Sequence, residues 1–118
     1  MVGELGIVST LPDCDRLSIL LNELKARLVE LYGQRLFALI LFGSQARGEA
    51  TPDSDIDVMA VLNEPVNPME EIKRTSDLRW DFMDRYGELV SIIPTAKSDF
   101  LASEISFLRV VKREGIEL

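Results

Sequence analysis

Gly43-Ser44 and Asp55-Ile56-Asp57 are the residues of this chain whose types and spacing could do chemistry; ten residues, Gln45 to Ser54, separate them. A glycine directly after an apolar run permits a tight turn and lets a phosphate approach the backbone closely. Ser44 can cap the helical turn that follows, leaving its hydroxyl and the first N–H groups to hold an anion. Arg47 lies on that turn and can offer a bidentate charge to a phosphate oxygen. Asp55 and Asp57 are two apart, so on a strand both carboxylates point to one face while Ile56 and Val58 point to the other. Like charges that close repel, and a divalent cation removes the penalty. Mg²⁺ favours one or two carboxylates completed by water and substrate phosphates. A phosphate cradle beside a paired-carboxylate metal site supplies the two parts that nucleotidyl transfer needs.

Two apolar runs must position these groups. Leu36 to Phe42 is too short and too apolar for an amphipathic helix and reads as a buried strand. Gly48 releases the chain into a turn containing Thr51, Pro52 and Asp53, and a second strand opens at Asp55 and runs to Leu62. Gln45 and Asp53 read as residues that support the turn. Upstream, the leucines at 17, 20, 21, 24, 28 and 31 share one face of a helix over 15–32, with Gly33 as its C-cap. Downstream, 63–68 is a loop and Met69 to Tyr86 is helical, with Ile72, Leu78, Phe82 and Met83 inward and Gly87 ending it. Lys73, Arg74, Arg79 and Arg85 form a solvated face, and Trp80 is a packing residue. A third strand covers Leu89 to Ile93, stopping before Pro94. Ser98 caps a last helical region in which Phe100, Leu101, Ile105, Leu108 and Val111 pack, with Arg109, Lys112 and Arg113 suiting its C-terminal dipole. Gly115 stops it before a short terminal strand.

Gly43-Ser44, ten residues, then Asp55-Ile56-Asp57 resembles the signature of the nucleotidyltransferase superfamily that includes DNA polymerase beta and the aminoglycoside nucleotidyltransferases. The filling, Gln45-Ala46-Arg47-Gly48 and Ser54-Asp55-Ile56-Asp57-Val58, is most similar to the minimal nucleotidyltransferases. The resemblance implies an α/β (α+β) nucleotidyltransferase fold, a small mixed sheet flanked by helices. It implies that Gly43 and Ser44 bind the nucleotide triphosphate, with Arg47 beside them, and that Asp55 and Asp57 bind Mg²⁺. Members of this family commonly add a third acid from a later strand. Here Glu88 is the only carboxylate of the matching segment and sits at its start, while Ser91 holds the more central position. Many minimal members accompany a HEPN-type toxin as its antitoxin, transferring AMP from ATP to a toxin tyrosine. The resemblance therefore implies a protein adenylyltransferase. A contact-only antitoxin and a small-molecule nucleotidyltransferase stay open beside it.

Composition narrows the partners. The chain has 118 residues, 47% hydrophobic and 28% charged, and reads as one domain over 1–118, with 1–10 a loose or partner-bound end. Twenty acidic against 13 basic residues give a net charge of −7, which opposes non-specific nucleic-acid binding. With no histidine, Cys–His and Ser–His catalysis are excluded. The single Cys14 forms no internal disulfide and fits a reducing cytoplasm. No stretch reaches transmembrane length and no signal peptide is read, so a cytoplasmic protein is expected. The missing substrate domain implies that a partner protein or a second copy of the chain supplies the acceptor site.

Overall fold

The apolar runs on either side of the Gly-Ser turn form the two central strands, β1 (Leu36–Phe42) and β2 (Ile56–Leu62), paired antiparallel in a computed structural model that describes residues 15–51, 54–102 and 106–118. The readings of 1–10, Cys14, Asp53 and Ile105 lie outside the described residues. The sheet is mixed, with strand order β3-β2-β1-β4: β3 (Val90–Ala96) runs parallel to β2, and β4 (Ile116–Glu117) antiparallel to β1. A parallel neighbour requires a long crossover. Here α3 (Pro68–Arg74) and α4 (Ser76–Tyr86) supply it.

Alternation along β2 divides the interior in two. Ile56, Val58, Ala60 and Leu62 join Leu20, Leu21, Leu24 and Leu28 of α1 (Asp15–Tyr32) and Leu78 and Phe82 of α4. On the other face, Met59 and Val61 pack with Ala38, Ile40, Phe100 of α5 (Lys97–Ala102), and Leu108 and Val111 of α6 (Ser106–Glu114). Burying a leucine or phenylalanine of this kind is worth about 1.5–3 kcal/mol, so both layers hold β2 in register. Gly115 makes the return from α6 to β4 feasible: a Cβ there would lie 2.5 Å from both the Ile40 side chain and the Val111 carbonyl.

Several expected elements differ. The single helix over 69–86 is two, broken at Thr75 (φ −95°, ψ 0°), whose hydroxyl donates to the Glu71 and Ile72 carbonyls. Asn67 caps the first of them by accepting from the Met69 and Glu70 amides. With the periodicity reset, Leu78 and Phe82 stay buried while Ile72 and Met83 reach solvent. Trp80 is 73% exposed and packs nothing in this chain's core. The last helical region likewise forms two helices, with Leu101 exposed.

The third strand starts at Val90 and runs through Pro94 to Ala96. The reason lies at the sheet edge. Ile56 donates to the Leu89 carbonyl, so alternation turns Leu89, Ser91, Ile93 and Thr95 toward β2 and leaves Pro94 facing outward. No ladder bond is lost there, which is how an edge strand tolerates proline. Among the described residues no helix is long and apolar enough to cross a membrane.

Candidate active site

The chemistry-bearing residues gather where β1 ends and β2 begins. Gly43 leaves β1 with φ +75° and ψ −157°, a region essentially restricted to glycine. It occupies the N-cap position of α2 (Ser44–Arg47), and Ser44 is the first residue inside the turn. Ser44 therefore makes no capping bond, a correction to its expected role. The turn closes through Arg47 N–H to the Gly43 carbonyl (3.2 Å) and Glu49 N–H to the Ser44 carbonyl (2.9 Å). Gly48, at φ +73°, ends it.

Strand pairing brings the aspartates to this turn. Phe42 is the register partner of Asp57, which places Gly43 against the carboxylate. The fit is close: a Cβ on Gly43 would stand 2.6 Å from Asp57 Oδ2. Asp57 lies within β2, half-buried, whereas Asp55 lies just before the strand and is exposed. Burial first, and the Asp55 charge second, push the Asp57 carboxyl above the usual aspartate range. Such a site suits a hard cation, because oxygen donors whose charges oppose each other gain most from one. Asp55 and Asp57 would hold it.

The other expected participants are placed less directly. Arg47 is exposed and paired with Glu49 (2.8 Å) and Glu114 (3.6 Å), so it reaches a phosphate only by sharing these partners. Glu88 precedes β3, and the parallel register sets Ser91, not Glu88, beside Asp57. Among the described residues no group of three or more acidic, cysteine or histidine side chains is arranged to hold a metal ion. The structure thus does not bring Glu88 into the aspartate pair. One neighbour escaped the sequence reading: Phe107 of α6 meets Phe42 edge-to-face at 5.5 Å, next to Asp57. No local pattern marks Phe107, because its position depends on how α6 packs against β1.

The raised pKa of Asp57 has a measurable consequence. Its folded-state pKa is raised, so its ionisation opposes folding as pH rises through that value. Asp57→Asn is expected to raise the Tm by a few degrees at pH 7 without metal, the gap closing in acid where both side chains are neutral. Thermal melts across pH check this. An equal change at every pH would mean that the carboxylate charge is not the source.

The sequence profile of the nucleotidyltransferase domain matches residues 21–112. The chain belongs to this family. A Methanocaldococcus jannaschii protein named as a proposed protein adenylyltransferase is 32% identical over 91 residues, 76% of this chain. The match spans 62% of that relative's length. Among solved structures, a proposed nucleotidyltransferase from Sulfolobus solfataricus superposes with a TM-score of 0.56 at 19% identity, covering 90% of this chain and 87% of that one. A toxin–antitoxin complex with AMP-PNP superposes at 0.55 and 19% identity, covering 79% and 68%. A variant MntA–HpeT toxin–antitoxin complex does so at 0.55 and 19%, covering 82% and 70%. The four-stranded mixed sheet and its helices are thus a nucleotidyltransferase fold.

Proposed function

We propose that this nucleotidyltransferase domain transfers AMP from ATP to a tyrosine hydroxyl of a partner HEPN-type toxin and acts as its antitoxin. The observation that carries the transfer reading is the contact of Asp57 with the side-chain-free face of Gly43. A triphosphate received at Gly43 and Ser44 would there lie directly beside the two carboxylates. Mg²⁺ held by Asp55 and Asp57 would supply charge neutralisation on the phosphate oxygens. The chain's own part is positioning: the turn fixes the phosphates, and the β1–β2 register fixes the aspartates relative to them. The acceptor oxygen bonds to the α-phosphorus, pyrophosphate leaves, and the hydroxyl proton is released. The adenylyltransferase name of one relative and the toxin–antitoxin context of two structural neighbours support the choice of acceptor.

The test is intact-mass analysis of the neighbouring reading frame's product after incubation with this chain, ATP and Mg²⁺. An AMP-sized gain is expected with wild type and none with Asp55→Ala or Asp57→Ala. A second reading, neutralisation by contact alone, is favoured by Ser91 standing where the register would put a third acid. In that case Asp57→Ala still neutralises the partner and no protein gains mass. A small-molecule acceptor would instead leave the partner unmodified while ATP is turned over with an added hydroxyl compound.

A further inference from the structure

At the β3 side of the sheet lies a cavity of about 220 Å³ lined by residues that include Met59, Val66, Ile93, Pro94, Asp99 and Phe107. Met59 follows Asp57 by two residues on β2, about 6.6 Å along the strand, and its register partner Ile93 follows Ser91 by two on β3. The Met59–Ile93 pair is thus one step along the sheet from Asp57. Phe107 stands on the α6 side with its ring half-exposed, edge-on to the Phe42 that is paired with Asp57. Cavities that enclose whole drug-sized ligands run to roughly 300–1,000 Å³, so this one admits a ring system and not a second nucleotide.

We propose that this cavity receives the base of the nucleotide, with Phe107 as its stacking surface and Asp99 selecting a base that carries an exocyclic amine. The inference rests on the nucleotide site proposed above. A carboxylate only accepts hydrogen bonds, and an amine on the ring would meet it as a donor, whereas a carbonyl at the same position would face its charge. The phenol of an acceptor tyrosine fits less well. Its hydroxyl must turn toward the aspartates, which leaves Asp99 beside a ring edge with no donor.

Isothermal titration of the full chain in Mg²⁺ with ATP, inosine triphosphate and inorganic tripolyphosphate tests this. ATP is expected to bind more tightly than the other two. Loss of a stacked base makes Phe107→Ala about tenfold weaker for ATP while tripolyphosphate stays within about twofold. Phe107→Leu, which keeps apolar packing against Phe42, is expected to follow the same pattern. Asp99 is exposed, so Asp99→Asn keeps the fold and narrows the gap between ATP and inosine triphosphate. If the Phe107 variants weaken both ligands equally or neither, the base does not sit here and the phosphate site stands alone. An ATP affinity that is unchanged while transfer slows would give the cavity to the acceptor ring instead. If wild type binds neither ATP nor tripolyphosphate, the underlying nucleotide reading falls together with this one.

Discussion

Gly43→Ala is expected to abolish the proposed nucleotidyl transfer and to destabilise the fold by about 1–3 kcal/mol, the cost of forcing a side chain into a glycine-only backbone region. Two independent features of the turn set this. The backbone angles, φ +75° and ψ −157°, exclude an L side chain, and the new Cβ would stand 2.6 Å from Asp57 Oδ2. Either the turn or the carboxylate must move, and a displacement of about 1 Å in a positioned group can cost roughly 10²-fold in rate. Gly48→Ala is the matched control. It also places a side chain at positive φ (+73°), but nothing lies within 4 Å of its Cβ. Both variants should melt earlier than wild type, and only Gly43→Ala should lose transfer. Should Gly43→Ala keep the wild-type rate, the Gly43–Asp57 contact is no part of the reacting site.

That contact also marks what the sequence makes legible. The strand bounds, Leu36–Phe42 and the run ending at Leu62, follow from apolar composition and the breaks around it, and α1 over 15–32 follows from its leucine period. Gly43 and the aspartates can be read as a pair because the loop between them is short and both flank strands. Their mutual distance is a matter of register, which pairs Phe42 with Asp57 and has no local signature. The same limit applies to β3. Composition places a strand near 89–93 and stops it at Pro94, but only its edge position lets the proline stay inside it. A shift in that strand's start moves Glu88 out of the ladder and puts Ser91 beside Asp57. The break at Thr75 was hidden because Thr is an ordinary helix residue, and its side-chain bonds to the preceding turn become visible only in three dimensions.

Away from the site, Glu71→Ala is expected to cause a large loss of stability. Glu71 is 3% exposed on α3, a position carboxylates take only when paired. Its two oxygens accept from Arg35 Nη2 (3.0 Å) and Arg74 Nε (2.9 Å), and Arg35 also pairs with Glu64 and lies 5.3 Å over the Tyr32 ring. Arg35 ends the short 3₁₀ turn (Gly33–Arg35) between α1 and β1, so this cluster ties the crossover helices to the start of the strand that leads into Gly43. Deleting one member of a buried pair costs about 3–5 kcal/mol. Both guanidinium groups here retain contact with solvent and can be rehydrated, so a loss below that range, about 2–3 kcal/mol, is expected. At about 4–8 °C per kcal/mol for a domain near this size, the Tm falls by roughly 10 °C or more. Burial works against the Glu71 carboxylate, but Arg35 and Arg74 outweigh it and hold its pKa below the ordinary value of 4.5. The stabilisation is therefore complete above that value and drains away as pH falls through the lower, folded-state one. Urea titrations of wild type and Glu71→Ala should differ fully at pH 7 and converge in strong acid. A difference that persists undiminished there would assign the loss to packing and not to the ion pairs.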